Sequence, residues 1–544
     1  MKNFIKNSEH WIWLNAAAVA ISLIMVLGLL GLIGYKGLVH FWPKELYKIT
    51  VVDAANQEKV YLGEKVEEEP ATDEHGALSD SELQYLYKIG NRDSYGLDFI
   101  WIKQSDVVQN TQPKLAVTME RREWGNLYGM IDSLYESGKK ITVPVNKDIR
   151  DILNSRLSRA TALMEQIKKL EKDDIGGVNY ELDQLRLKKK KYELDNSLTA
   201  EIKNKIESEE EVLQNSFIDI QKKLKLLHAQ SQRDTVKMKL VGGKLVSVKL
   251  AKIVRWYQPN DLSSWGKFKV FLSRLWEFIA DDPREANTEG GVFPAIFGTV
   301  LMVLLMSIIV TPLGVIAAIY LREYASQGWF TRTVRIAVNN LAGVPSIVYG
   351  VFGLGFFVYF LGGSIDELFF PESAPSPVFG TPGLLWASLT LALLTLPVVI
   401  VSTEEGLSRV PKSIREGSLA LGATKAETLW KTIIPMASPS IMTGMILAIA
   451  RAAGEVAPLM LVGVVKLAPS LPLDGNAPFL HLDRKFMHLG FHIYDVGFQS
   501  PNVEAARPLV YATSLLLVLV IILLNLLAIR VRNKLRERYK ALES

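Results

Sequence analysis

Long apolar blocks separated by polar stretches dominate the chain, and they predict membrane-spanning helices. A helix needs about 20 consecutive apolar residues to cross the hydrocarbon of a bilayer. The first block, Trp11 to Tyr35, is longer than the ~7–15-residue core of a secretory signal and lacks a small-residue cleavage site after it, so we interpret it as an uncleaved anchor. Five more blocks predict further spans: residues 292–320, 334–361, 383–402, 440–465 and 509–529.

The lysines and arginines in the connections predict how these spans are oriented. Connections 321–335 and 403–439 and the tail after Ala528 are rich in both residues, whereas 362–382 contains neither. Because short cytoplasmic loops carry the excess of positive charge, both termini are predicted to be cytoplasmic. The chain then divides into residues 1–43 with the first span, an extracytoplasmic domain at 44–285, and a core with spans two to six at 286–544.

The stretch between the first two spans predicts a separate domain that contains both helices and strands. Apolar residues repeat every three and four positions over 147–232, which predicts a coiled-coil hairpin with its turn at Gly176-Gly177. Strand-like segments flank this hairpin, YKITVVDA before it and VKMKLVGGKLVSVKLAKIV after it, and Gly242-Gly243 predicts a turn between two strands. The predicted fold class is therefore mainly α: a polytopic membrane protein with six transmembrane helices and an inserted α+β domain.

Composition excludes several kinds of chemistry. The chain has no cysteine, so disulfides, thiolate nucleophiles and cysteine metal sites are impossible. His481, His488 and His492 match no zinc signature, and neither a metal nor a cofactor is predicted. The basic run 186–191 is interpreted as a solvated helix face rather than a nucleic-acid site.

The connection between the fourth and fifth spans contains the most informative stretch, EGSLALGATKAETLWKTIIPMASP, residues 416–439. It predicts a short amphipathic helix, a break at Gly422, a second short helix, and then Pro435 at the approach to the next span. A helix of this length on the inner surface is suited to being held by a partner protein. An ordinary connecting loop is the alternative interpretation.

The spacing within this stretch resembles the signature of permease subunits of binding-protein-dependent ABC importers: EAA, three residues, Gly, nine residues, then I-x-L-P. Glu416, Gly422 and Pro435 fall at the family positions, whereas Thr432 stands where the family has isoleucine. The resemblance implies the type I ABC importer permease fold. It also implies that loop 403–439 forms a coupling helix, which docks on the ATPase subunit with Glu416 at the docking surface.

Three further segments narrow the resemblance to phosphate-specific permeases of the PstA type: NNLAGVPSIVYGVFGLGFF, ARAAGEVAPL and HIYD. It covers roughly residues 290–540 and the first span, and the usual members have only a short loop where 44–285 stands. It implies a subunit of a bacterial inner membrane, with residues 44–285 in the periplasm. The implied partners are a homologous permease, ATPase subunits (two are expected) and a phosphate-binding protein. Because Ala423 stands where a P-loop needs lysine, no ATP site is predicted and the chain is not expected to be an enzyme.

Two charged residues inside a predicted span are the candidate transport site. Arg451 and Glu455 are predicted near the middle of the fifth span, one helical turn apart. Charges in hydrocarbon cost ~2.5–3.5 kcal/mol each, and they usually face a bundle interior or a pathway. A planar guanidinium suits phosphate oxygens, and Glu455 is expected to moderate its grip so that the anion can leave. Pro458 is expected to bend the span toward the pathway, and Asn339 and Asn340 are weaker candidates at the start of the third span.

Other interpretations remain open from the sequence. Arg451 and Glu455 could form only a structural pair, although arginine before glutamate is the less favourable order on a helix. An arginine alone does not distinguish tetrahedral oxyanions, so molybdate and sulfate are alternative cargoes. A secondary transporter or channel without an ATPase is a rival, and so is a membrane-anchored envelope scaffold that acts through hairpin 147–232. If the chain is a permease, this hairpin is expected to extend the docking site for the binding protein or to contact the cell envelope.

Overall fold

The protein divides into two compact units. The structure, a computed structural model, describes residues 9–52, 57–72, 78–142, 144, 148–500 and 503–539. One unit, called here the membrane unit, consists of Met1–His40 and Val292–Ser544, and the other, the inserted unit, is Phe41–Gly291.

Within the described residues, six helices of the membrane unit are long and apolar enough to cross a bilayer, as predicted. We number them span 1 to span 6. They are Trp11–Val39, Phe293–Tyr324, Ser346–Phe369, Leu384–Arg409, Lys425–Gly454 and Ala506–Lys534. Spans 2, 4 and 5 share the apolar core of the unit, whose fully buried members include Met302, Met306, Leu391, Leu394, Ala448 and Ala452.

The third span begins later than predicted. Trp329–Leu341 forms a separate amphipathic helix, and span 3 starts only at Ser346. Pro345 explains the interruption, because a proline disfavours the helical conformation of the residue before it. Asn339 and Asn340 therefore lie on the exposed side of the separate helix, and their predicted place at the start of the third span is wrong.

The fifth span is displaced toward the N-terminus relative to the prediction of 440–465. It begins at Lys425, where Thr424 and Glu427 form a reciprocal capping box, and it remains helical until Gly454. The second short helix expected after Gly422 is thus the first turn of the span. Pro435 lies within the helical path, just after the π-helical turn Leu429–Ile433, rather than before the span.

The inserted unit contains two antiparallel sheets. The first has the order β4-β3-β2-β1-β5 and the second the order β10-β9-β7-β6-β11, with β8 paired to β7. The strands are β1 Leu46–Val52, β2 Glu58–Thr72, β3 Leu78–Lys88, β4 Phe99–Lys103, β5 Val107–Thr111, β6 Val117–Arg121, β7 Asn126–Glu136, β8 Lys139–Lys140, β9 Asp234–Lys239, β10 Leu245–Lys249 and β11 Ile253–Tyr257. A short pair, β12 Pro283–Arg284 with β13 Glu289–Gly290, follows the helix Ser264–Ala280. The predicted turn at Gly242-Gly243 is confirmed: it joins β9 to β10, and both glycines have positive φ.

The helical hairpin exists, but its turn is not at Gly176-Gly177. The first arm runs through 149–194 with a π-helical turn at Leu170–Asp174, so both glycines lie inside it. The turn is at 195–199, where Asn196 has a φ of 52° and Thr199 caps the second arm, Ala200–Ser231. The Thr199 hydroxyl oxygen accepts a hydrogen bond from the Ile202 N–H at 3.3 Å.

The first arm of the hairpin packs on the second sheet through its N-terminal half. Leu153 and Ala160 are buried there in one cluster with Val117, Met119 and Leu127. The base of the hairpin is thereby part of the core of the inserted unit.

A pair of leucine substitutions tests this packing. We expect Leu153→Ala, at a fully buried position, to destabilise the inserted unit by ~2–5 kcal/mol, because it removes apolar contacts and leaves a cavity. Leu226→Ala on the second arm, where the side chain is 65% exposed, is expected to change stability by less than about 0.5 kcal/mol. Hydrogen exchange of the β6 amides in the full chain measures both effects, and equal exchange in the two variants would contradict the packing.

Candidate functional site

The Arg451–Glu455 pair lies at the end of span 5, not at its middle as predicted. The helix ends at Gly454, and Glu455 follows in an extended conformation. The Nε atom of Arg451 is 3.4 Å from Oε1 of Glu455, and the side chains are 32% and 22% exposed. A cation in the last turn of a helix is stabilised by the partial negative charge of the terminal carbonyls. The position therefore holds Arg451 favourably while part of its guanidinium stays accessible.

Pro458 fixes the chain just beyond this pair. It precedes the short helix Leu459–Val462, so it does not bend span 5 as predicted. Its backbone packs directly on Gly350 of span 3: a Cβ atom at Gly350 would lie 2.7 Å from the Cα of Pro458. The neighbouring Tyr349 is buried, donates a hydrogen bond to the carbonyl oxygen of Leu341 at 2.6 Å, and interacts electrostatically with Arg451. The sequence interpretation had assigned no role to Tyr349 or Gly350.

The segment between spans 5 and 6 folds back into the membrane unit beside the same region. The Leu489 N–H donates to the Thr299 hydroxyl of span 2 at 2.9 Å. Gly490 lies against Val456, the residue after Glu455. The position of this segment beside Glu455 was not predicted.

The three histidines of this segment are partly or wholly enclosed by it. His481 hydrogen-bonds Asp474 at 2.9 Å, and His488 Nδ1 accepts from the Gly490 N–H at 3.1 Å. Burial lowers the pKa of His488 to about 3 and that of His492 to about 4, so both rings are neutral at physiological pH. Among the residues that the structure describes, no group of three or more His, Asp and Glu side chains is arranged to hold a metal ion.

The second candidate region is the connection between spans 4 and 5. Its helix Lys412–Ala420 presents Glu416 to solvent, and Leu421 after it is 91% exposed. Gly422 has a φ of 89°, in the left-handed region that favours glycine, and it reverses the chain into span 5. The break predicted at Gly422 is confirmed.

Ion pairs attach this connection to spans 2 and 4. The Arg415 guanidinium pairs with the Glu323 carboxylate at the end of span 2 and donates to the Leu407 carbonyl oxygen at 2.5 Å. Lys425 donates to the backbone carbonyl of Glu323 and lies 4.5 Å from the ring centre of Tyr324. Arg415 therefore connects helix Lys412–Ala420 to two spans at once. The sequence interpretation had counted Arg415 and Lys425 only as loop charge.

A substitution at Gly350 tests the packing that positions the chain beyond Arg451 and Glu455. We expect Gly350→Ala to lower the thermal denaturation midpoint of the purified chain, because its methyl group collides with the backbone at Pro458 and overpacking costs ~1–3 kcal/mol. Gly355→Ala in the same span is the matched control, since no atom lies within 4 Å of the added carbon. A midpoint unchanged by Gly350→Ala would show that span 3 and the chain at Pro458 do not approach each other this closely.

The comparison with known proteins agrees with these features. Residues 310–540 match the family described as binding-protein-dependent transport system inner membrane component. The phosphate transport system permease protein PstA of Mycobacterium leprae is 40% identical over 194 residues, 36% of this chain and 58% of its own length. PstA 1 of Mycobacterium tuberculosis strain CDC 1551 is 34% identical over 271 residues, 49% of this chain and 79% of its own length.

A solved structure is also similar to this chain. It is an inward-facing form of the MetNI methionine ABC transporter, with 18% identity, a TM-score of 0.33, and coverage of 48% of this chain and 98% of that chain. The match to M. leprae PstA spans less than two thirds of that relative, whereas the match to M. tuberculosis PstA 1 spans more. On these sequence relatives, the chain belongs to the binding-protein-dependent transport permeases, in the family of the phosphate permease PstA, and carries a large additional domain between its first two spans.

Proposed function

We propose that this chain is the transmembrane permease subunit of an ATP-driven importer of inorganic phosphate. The observation that carries the proposal is Arg451, a partly accessible guanidinium at a helix end, in a chain that is 34–40% identical to phosphate permeases over 36–49% of its length. The proposal places the protein in a bacterial inner membrane with both termini in the cytoplasm and residues 44–285 in the periplasm. Loop charge supports that orientation.

Arg451 is proposed to contact the phosphate oxygens during passage. Its ion pair with Glu455 uses Nε, and among the described residues its two terminal nitrogens make no hydrogen bond. A guanidinium binds phosphate through parallel N–H donors, so these nitrogens offer the geometry that the anion needs. Glu455 keeps the guanidinium oriented and weakens its hold on the anion, because conduction requires a site that the ion can leave.

The other pathway residues have supporting roles in this proposal. Pro458, packed on Gly350, holds the chain that carries Glu455. Asn339 and Asn340, exposed on helix Trp329–Leu341, remain secondary candidates for contact with the anion.

ATP hydrolysis is assigned to partner subunits, expected to be two, which would hold helix Lys412–Ala420. Glu416 and Leu421 offer an exposed carboxylate beside an exposed apolar side chain. Gly422 gives the reversal that presents the helix, and Pro435 follows within span 5. Arg415 ties the helix to span 2, and Lys425 ties the start of span 5 to span 2, so docking and release would move spans as a rigid body. A homologous permease and a phosphate-binding protein complete the proposed assembly.

Radiolabelled phosphate uptake tests the role of Arg451. With the partner subunits present, we expect Arg451→Gln to reduce uptake at least tenfold, about 1.4 kcal/mol of lost stabilisation, because the charged donors are removed. Arg530→Gln, at an exposed position at the end of span 6, is the control and is expected to leave uptake unchanged. Excess sulfate and molybdate are added as competitors.

Each outcome of the uptake experiment decides between interpretations. Loss of uptake in a normally assembled Arg451→Gln complex, without competition, supports a phosphate pathway through this residue. Unchanged uptake would reduce Arg451 and Glu455 to a structural pair. Strong competition by sulfate or molybdate would favour a permease for another oxyanion. Loss of uptake on deletion of hairpin 147–232, with Arg451→Gln tolerated, would favour an envelope scaffold.

A charge reversal tests the docking helix. We expect Glu416→Arg to abolish co-purification of the ATPase subunit, because it places a cation on the exposed docking face. Glu367→Arg, at an exposed position near the C-terminal end of span 3, serves as the matched control. Co-purification retained by Glu416→Arg and uptake retained with it would contradict the assignment of the docking face.

A further inference from the structure

The helix Ser264–Ala280 of the inserted unit carries large exposed apolar side chains on one face and ion-paired charged side chains on the opposite face. Trp265 and Trp276 are 64% and 71% exposed, and Phe268 and Leu272 between them are also exposed. These four residues are spaced by three, four and four positions, so they form one stripe along the helix. Lys269 is the charged residue on this exposed face.

The opposite face of the helix makes ion pairs within the unit. Arg274 donates from Nε to Oε1 of the buried Glu120 at 2.7 Å. Glu277 is buried and pairs with Arg255 and Arg284. Burial alone would raise the pKa of Glu120, but the guanidinium groups of Arg274 and Arg255 outweigh it and lower that pKa. Glu120 therefore remains ionised, and the helix cannot turn its apolar face inward without breaking this network.

Such an arrangement is unfavourable in water and favourable at the surface of a bilayer. An exposed stripe of two tryptophans, a phenylalanine and a leucine is the kind of patch that marks contact with a partner or a membrane. Tryptophan is enriched at the interface between headgroups and hydrocarbon, and a lysine on the apolar face can extend its charge to the lipid phosphates. Interfacial helices insert their apolar faces to a depth of ~5–10 Å.

The C-terminal end of this helix contacts two residues that lie two positions from spans 1 and 2 along the chain. Its Phe278 packs on Phe41 with ring centres 5.1 Å apart, and Phe41 follows the end of span 1 at Val39 by two residues. At the same C-terminal end, a side-chain carbon at Gly291 would collide with the carbonyl oxygens of Glu277 and Asp281, and Gly291 precedes span 2 by two residues. Two residues of chain span at most ~7 Å. The exposed Trp42, whose ring centre lies 6.0 Å from that of Phe271, extends the apolar surface beside the helix.

From these observations we propose that the helix Ser264–Ala280 is an interfacial helix that inserts its exposed apolar stripe into the lipid bilayer. The occupant of the face is lipid, at the leaflet from which spans 1 and 2 emerge. The ion pairs of Arg274 and Glu277 on the inner face fix the helix rigidly to the rest of the inserted unit. The proposal rests on the exposed apolar stripe and the chain connections, and it is independent of the transported ion.

Site-directed spin labelling tests this contact cleanly because the chain contains no cysteine. Leu272→Cys places a label on the stripe, and Leu226→Cys on the helical hairpin is the matched control, since both leucines are exposed on helices. Phe268→Cys, at another exposed position of the stripe, repeats the measurement at a second site on the face. The full chain is placed in nanodiscs of phosphatidylethanolamine and phosphatidylglycerol, and label relaxation is measured with dissolved oxygen and with a water-soluble nickel complex.

The ratio of oxygen to nickel accessibility decides the result. We expect this ratio to be several-fold higher at positions 268 and 272 than at position 226, because oxygen concentrates in the bilayer and the nickel complex is excluded. Equal ratios at the three positions would overturn the proposal by placing the face in water. Labels at 268 and 272 that are immobile and shielded from both reagents would overturn it as well, since a protein partner would then cover the stripe.

Discussion

The end of span 5 at Gly454 is the constraint on which the membrane unit depends. A helix that stops inside a membrane protein leaves backbone groups that the lipid cannot satisfy, so the broken chain must be enclosed by other protein segments. The chain that continues beyond span 5 is bonded to the segment before span 6: the Val465 N–H donates to the Phe486 carbonyl at 3.0 Å, and the Phe486 N–H donates to the Gly463 carbonyl at 3.2 Å. The end of span 5, with Arg451 and Glu455, and the segment before span 6 are therefore parts of one structural feature.

The same segments complete the start of span 4. The first N–H groups of a helix have no partner within the helix. In this protein the N–H groups of Gly383, Leu384 and Leu385 donate to carbonyl oxygens of Val462, Arg484 and Leu482 at 2.8–3.0 Å. These bonds link the beginning of span 4 to the chain after span 5 and to the segment before span 6. Gly350 lets span 3 approach Pro458 in the same region. A substitution in this region would disturb the packing of spans 3, 4 and 5.

Sequence reasoning predicted what depends on periodicity and failed where a local break decides. The apolar blocks predicted six spans because bilayer thickness sets a length that composition reveals, and Gly242-Gly243 predicted its turn because both positions need positive φ. Gly176-Gly177 gave a false turn, since a glycine pair only weakens a helix and the hairpin packing overrides that loss. Spans 3 and 5 were misplaced because Pro345 and Gly454 interrupt runs that remain apolar on both sides.

The candidate residues show the same division. The chemistry of Arg451 and Glu455 was visible as charge inside an apolar run, but their position at a helix end was not. Arg415, Glu323 and Gly350 were missed because each acquires its role from a partner far along the chain. The helix-end position changes the energetic argument: the terminal carbonyls stabilise Arg451, so a tight salt bridge is not needed to keep the charge there. Arg451 and Glu455 are 3.4 Å apart and partly exposed, so their ion pair is loose. A loosely held guanidinium can exchange one anionic partner for another.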